Sequence, residues 1–306
     1  MKHTISITLI IVLIFLLSQV IGLYALNVNT VVTQTPEGGI VVEHEETAIG
    51  ERPDIEGPVT FIYIVIAILI GTGLILLLIR LKKIKIWKAL YFFAVWMTCS
   101  ITIGVFFNNI LVFVLCFILA FFKIFKPNVW IHNLTELFVY AGIAIIFVPI
   151  LDIVWVTLLL LAISAYDMFA VWRSKHMVYL AEFQTKSKAF AGVLLSYKIR
   201  LKPEKLKKLK KGKVKVREEY RNAVLGGGDI AFPMLFAGVV MDSMIKMGVH
   251  TKIFAFLYSM IIPVIVAIIL FALLAKASSD RFYPAMPFLT AGCFIGYGLV
   301  WVVNFI

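Results

Sequence analysis

ALYFFAVWMTCSITIGVFFNNILVFVLCFILAFF, residues 89–122, runs for 34 positions without an Asp, Glu, Lys, Arg or His. A helix crosses the hydrocarbon core of a bilayer with about 20 apolar residues, so this run is too long for one crossing. Asn108-Asn109 falls near its middle, where a polar turn divides it into two spans. Working outward, similar runs lie at 5–25, 59–79, 222–244, 253–275 and 282–306. The stretch 129–172 is interrupted by Pro149 and Asp152 and reads as two more, the second at 150–172. The first run exceeds the apolar region of about 7 to 15 residues found in a signal peptide, so it counts as a span. The expected fold is therefore an all-α polytopic membrane protein with nine transmembrane helices.

Composition agrees with this. The 306 residues are 62% hydrophobic and 15% charged, with a mean hydropathy of +1.00. Soluble domains carry about 45–50% apolar and about 25% charged residues, which excludes an ordinary soluble enzyme. The formal charge is +12, and the segment 173–221, with 16 Lys/Arg against 4 Asp/Glu, holds all of the excess. This describes a basic loop on a membrane protein and gives no indication of nucleic-acid binding. Cys99, Cys116 and Cys293 lie within apolar runs, so neither a disulfide framework nor a metal cluster is indicated, and no cofactor is implied.

Cytoplasmic loops are enriched in Lys and Arg. With a cytoplasmic N-terminus, 26 of the 29 basic residues fall on the cytoplasmic side, and only Arg52, Lys246 and Lys252 fall outside. Nine spans then put the C-terminus outside. The chain divides into helices one to six at 1–172, the basic cytoplasmic loop at 173–221 and helices seven to nine at 222–306, forming one membrane-embedded unit. Within the loop, Phe190, Val193, Leu194 and Tyr197 at helical spacing predict a helix on the inner leaflet, where flanking lysines meet anionic lipid headgroups. The run KPEKLKKLKKGKVKVR that follows is too poor in large apolar residues to form a core.

Acids inside spans carry the chemical information, because a carboxylate at bilayer depth is costly and usually functional. Asp152, Asp242 and Glu136 are expected near helix ends, within reach of water or headgroups. Asp167 and Asp229 are expected deeper, about 9 and 12 Å from the cytoplasmic boundary at 1.5 Å per residue, on antiparallel helices joined by one loop. Two carboxylates around one water share a proton, so that one activates the water while the other polarises a scissile carbonyl. An ion or proton-coupled transporter would also use buried acids. The five histidines lie near ends or in loops, and neither HExxH nor GxxxxGK[ST] occurs, so serine-histidine, zinc and nucleotide chemistries find no support.

Around the acids, Tyr166 precedes Asp167, and Gly226, Gly227 and Gly228 precede Asp229. Glycines there allow another backbone to approach closely. Pro284, Ala285, Met286 and Pro287 open the last span; Pro284 suits a first turn, and Pro287 would leave a carbonyl without its donor. In that same span Gly292 and Gly296 form a small-xxx-small pair suited to close helix packing.

Tyr166-Asp167, GGGD at 226–229 and PAMP at 284–287 together resemble the motifs of the presenilin and signal peptide peptidase family of GxGD intramembrane aspartyl proteases, the nearest likeness being to archaeal presenilin-like homologues. The resemblance implies nine spans, one catalytic acid on each of helices six and seven (Asp167 and Asp229), and active-site support from Tyr166, the three glycines and 284–287. It further implies a multi-pass protein of the cell membrane that cleaves transmembrane segments of other proteins, alone or as a homo-oligomer. Met286 stands where the family has Leu, a near-isosteric change. Prepilin peptidases share GxGD but carry a Lys two residues later, where Ala231 stands here. Reporter fusions after residues 85, 205 and 278 are expected to report the cytoplasm, and fusions after 45 and 306 the outside. An external signal at 205 would end the nine-span topology.

Overall fold

The computed structural model describes residues 5–34, 40–47, 49–50, 55, 57–107, 109–174, 183, 189–200, 218–248, 251–276 and 283–305. Its helices are α1 (Ile5–Asn29), α2 (Pro58–Arg80), α3 (Ile84–Gly104), α4 (Ile110–Phe125), α5 (Val129–Phe147), α6 (Ile153–Phe169), α7 (Gly227–Lys246), α8 (Lys252–Ser259), α9 (Ile261–Lys276) and α10 (Met286–Phe305). The pairs β1 (Thr30–Gln34) with β2 (Ile40–His44) and β3 (Gly192–Arg200) with β4 (Glu218–Gly226) form two antiparallel hairpins. Among the described residues, eight helices are long and apolar enough to cross a membrane, α8 and α9 counting as one. The fourth expected span, α4, has 16 residues, about 24 Å of helix.

The turns lie where the polar residues placed them. Asn109 caps α4, its side chain accepting from the Leu111 amide at 3.1 Å. Asp152 caps α6 by accepting from Trp155 N–H at 2.9 Å, after a single 3-10 turn through Pro149. Such caps satisfy amides that have no partner within the helix. Pro263, which has no N–H, lies just past the break between α8 and α9, in keeping with the usual cause of kinks.

Two expectations about the polar loop need correction. The segment from Phe190 to Tyr197 is not a helix: its residues from Gly192 onward form β3, paired with β4 from Gly192↔Gly226 to Arg200↔Glu218. Val193, Leu195 and Tyr197 turn one face to the core, opposite Leu225 and Ala223. The same apolar residues fit periods of 3.6 and 2, and the pairing partner lies beyond a long insertion, so spacing alone picked the wrong period. Helix seven accordingly starts at Gly227 rather than Asn222, since residues 218–226 are strand. The lysine-rich run 202–217 lies outside the described residues.

Helix α7 is the core of the bundle, apolar around most of its circumference and packed against α1, α5, α6, α8 and α10. Its two ends meet different hairpins, β4 leading into its first residue and His44 of β2 approaching Asp242 near its last turn. Small residues set the crossings. A methyl on Gly142 of α5 would lie 2.2 Å from the Thr98 carbonyl oxygen of α3, and one on Gly296 of α10 would lie 2.7 Å from Ile262 Cα of α9. The Gly292–Gly296 pair thus packs as its spacing suggested. Because Gly142 faces backbone that cannot turn aside, Gly142→Ala is expected to destabilise by about 1–3 kcal/mol. Gly298→Ala, which meets nothing within 4 Å, should not. Thermal unfolding in detergent checks this, and equal midpoints would remove the close α3–α5 crossing.

Candidate active site

Asp167 sits in the last turn of α6 and is 6% exposed. Burial makes its carboxylate depend on donors inside the protein, and the backbone supplies them. The Met286 amide donates to Asp167 Oδ2 at 3.1 Å, and the Ala285 amide faces the same carboxylate. Met286 is the first residue of α10, where amides have no partner in their own helix and the helix dipole favours an anion. Such a bond to a charged group stabilises by about 1.5–3 kcal/mol. Since α10 starts at Met286 rather than at 282, Pro284 precedes the helix and Pro287 lies in its first turn. The expected orphan carbonyl does not arise. Phe288 and Leu289 instead both donate to the Ala285 carbonyl at 3.1 Å. Pro284 and Met286 are buried and Ala285 and Pro287 half-buried.

One turn back on α6, Ser164 Oγ lies 2.7 Å from Thr290 Oγ1 of α10. This pair repeats, through side chains, the link that Asp167 makes to the backbone. Tyr166 points elsewhere, its hydroxyl 3.4 Å from Thr72 Oγ1 of α2. It adjoins Asp167 in sequence but reaches toward a different helix.

Asp229 is half-buried in the first turn of α7, and Asp167 is close enough to act on it electrostatically. The three glycines do not lie in the interior of a helix, where a span at 222–244 would put them. Gly226 ends β4 while Gly227 and Gly228 open α7, so together they form the strand-to-helix junction. Each faces something specific. The Asp229 carboxyl folds back over Gly226, where a Cβ would stand 3.2 Å from Oδ2, and a Cβ on Gly227 would stand 2.8 Å from Tyr140 Oη. At Gly228 the neighbour is the Phe232 ring, at 3.3 Å. Gly227 N–H also donates across the hairpin to the Ala191 carbonyl at 3.2 Å. Pro233 lacks an N–H, so the Asp229 carbonyl forgoes its usual partner one turn on. The next carbonyl, that of Ile230, accepts from Gln19 Nε2 at 2.9 Å.

Sequence reasoning missed a second buried charge cluster. Glu136 of α5 and Lys123 of α4, each 1% exposed, form an ion pair, although Glu136 was expected at a solvated end and Lys123 is one of the basic residues placed on the cytoplasmic side. Glu136 Oε1 also accepts from Tyr91 Oη at 2.8 Å, and its Oε2 accepts from Tyr140. Removing one member of such a pair costs about 3–5 kcal/mol, because the other is left charged without compensation. A Lys and a Glu of opposite sign facing a short turn from two apolar runs was the available signal. Asp242, also expected near solvent, is 3% exposed and pairs with His44 at 3.0 Å and Lys246 at 2.8 Å. Among the described residues no group of His, Cys, Asp and Glu could hold a metal.

The sequence model described as signal-peptide peptidase, presenilin aspartyl protease matches residues 13–306. The chain belongs to this family. It is an intramembrane aspartyl protease, a multi-pass membrane protein whose family acts on transmembrane substrates. Its fold is similar to that of a presenilin family intramembrane aspartate protease solved in a C222 crystal, with TM-score 0.56 and 15% identity over 97% of this chain and 99% of the other. A P2 crystal structure of a presenilin family intramembrane aspartate protease is similar to a comparable degree, with TM-score 0.55 and 16% identity over 96% of each chain. No curated protein matches. In this protease, Ser164→Ala leaves Thr290 Oγ1 buried without its partner, at an expected cost of about 1–3 kcal/mol. Thermal unfolding should show the loss, and Ser164→Thr should restore part of it. An unchanged midpoint in Ser164→Ala would remove the α6–α10 clamp.

Proposed function

We propose that Asp167 and Asp229 are the catalytic pair of this protease, acting on transmembrane segments of other membrane proteins. The observation that carries the reading is the approach of the two acids at the α6–α7 contact, with Asp167 held by the first amide of α10. One carboxylate is ionised and takes a proton from water as the water oxygen attacks the scissile carbonyl. The other is protonated and gives its proton to the carbonyl oxygen. The tetrahedral intermediate then collapses: the C–N bond breaks and the leaving nitrogen takes a proton from the pair. Neither acid can do both tasks alone.

A peptide bond within an intact helix is shielded by its own hydrogen bonds, so the substrate reacts after local unwinding. The non-helical Pro284 and Ala285 support a role in holding the unwound strand, and Gly226, Gly227 and Gly228 let the Asp229 carboxyl, Tyr140 and Phe232 pack against the junction that carries Asp229. Tyr166, next to Asp167 on α6, reaches Thr72 of α2 and would support the site only indirectly, by tying α6 to that helix. Both acids come from one membrane-embedded unit, helices of 1–172 supplying Asp167 and those of 222–306 supplying Asp229. The charge asymmetry supports a cytoplasmic N-terminus and an outer C-terminus in the cell membrane, with the basic loop 173–221 on anionic headgroups.

Asp167→Ala and Asp229→Ala are each expected to abolish cleavage of a detergent-solubilised transmembrane peptide, and the double variant should be no worse than either, as befits residues acting as a unit. The activity–pH profile should be bell-shaped, falling where the pair loses its shared proton and where it gains a second, with both limits belonging to the pair. Mimics with a hydroxyl in place of the scissile carbonyl should inhibit, and zinc chelators should not. Near-normal turnover in a folded single variant would remove the pair.

A further inference from the structure

Glu136 and Lys123 are buried charges that the proposed chemistry does not use. A buried ion pair is a poor way to gain stability, since apolar residues of similar size often serve as well or better. Its geometry gives it another purpose. The two hydroxyls that Glu136 accepts belong to Tyr91 and Tyr140, and each tyrosine touches one side of the hairpin that leads to Asp229. Tyr91 Oη lies 2.6 Å from the Phe190 carbonyl, two residues before β3, while Tyr140 Oη lies against Gly227, two residues before Asp229. Tyr140 is also within electrostatic range of Asp229 itself. Further bonds fix β3 to the same helices: Trp87 Nε1 donates to the Ala189 carbonyl at 3.1 Å, and His132 Nε2 to the Gly192 carbonyl at 2.7 Å. Asn133 exchanges two bonds with the Leu194 backbone, at 2.9 and 3.0 Å.

Tyr140 alone would be a ring packed on α5. With its hydroxyl bound to Glu136 Oε2, it becomes a fixed surface against which Gly227 rests. Lys123 neutralises the carboxylate and holds its other oxygen. We propose that Glu136 is a positioning residue for the reaction: through Tyr140 it sets where the Gly227–Asp229 turn sits, and so where the Asp229 carboxyl meets Asp167. The inference rests on the reading of Asp229 as a catalytic acid.

The test separates hydrogen-bond acceptance from charge and from folding. Lys123→Met with Glu136→Gln removes both charges but keeps an acceptor for Tyr140. Lys123→Met with Glu136→Leu removes the acceptor too. Neither leaves a charge unpaired, so the Gln variant should unfold near the parent's midpoint, and the Leu variant, which leaves the buried Tyr140 hydroxyl without its acceptor, should unfold lower but stay folded in the assay. Initial rates on a detergent-solubilised transmembrane peptide then separate kcat from KM. The Gln variant should stay close to the parent. The Leu variant and Tyr140→Phe should each lose about 10- to 100-fold in kcat with KM unchanged, the scale of an ångström-level misplacement. Parental kcat in the Leu variant overturns the inference, and so do equal losses in the Gln and Leu variants. Should the Leu variant fail to fold, Tyr140→Phe decides by the same criterion. Asp167→Ala runs in parallel: its inactivity beside a fully active Tyr140→Phe sinks the inference while leaving the catalytic pair intact, whereas its activity sinks the pair itself.

Discussion

A carboxylate enclosed by protein at membrane depth must be given its hydrogen bonds by the fold, because lipid offers none. Asp167 receives the bond from the Met286 amide, and much of the architecture follows from that arrangement. The donor must be an amide unused by its own helix, so α10 has to begin where Asp167 ends its approach. Two prolines around that start suit the need, Pro284 preceding the helix and Pro287 sitting where a missing N–H costs nothing. Tight packing of α10 on α9, through Gly292 and Gly296, then keeps the donor in place. A motif that looks like a helix distortion in sequence is, in three dimensions, the end of a helix presented to an acid.

The apolar helices and the two acids proposed as catalytic stood out because each rests on a strong, local signal. Apolar length reports crossings, and an uncompensated Asp in an apolar run stands out against its neighbours. The turns at Asn109 and Asp152 were readable for the same reason, since each is a cap made by a residue close in sequence. What failed depended on partners far along the chain. The segment around Val193 became a strand because β4 and the side chain of Asn133 satisfy its backbone, and neither partner is visible within a window of a dozen residues. The glycines before Asp229 were located correctly but given the wrong task, because the helix they were assigned to had not yet begun.

Glu136, Lys123 and Asp242 illustrate a different limit. Each lies near the end of an apolar run, where solvation by headgroups is the ordinary expectation. In the fold each is enclosed, and each is compensated by an opposite charge. Sequence shows that a charge stands at a run's edge, but not whether another helix covers it. For Glu136 and Lys123 the cover comes from α3, whose Tyr91 meets both, as hydroxyl donor to one and aromatic face to the other.

The two acids are supported unequally. Asp229 belongs to the most enclosed helix, with a hairpin entering its first turn and His44 and Lys246 holding Asp242 near its last. Asp167 belongs to α6, whose Leu158, Leu161 and Phe169 face outward and whose neighbour α2 buries few of its residues. Its ties are to α10, through the Met286 amide and the Ser164–Thr290 pair. Displacing α7 would break contacts on every side, and displacing α6 with α10 would keep those ties only by breaking the close α9–α10 packing. Asp167 is thus held through α10 and the close α9–α10 crossing, and Asp229 by the enclosure of its own helix.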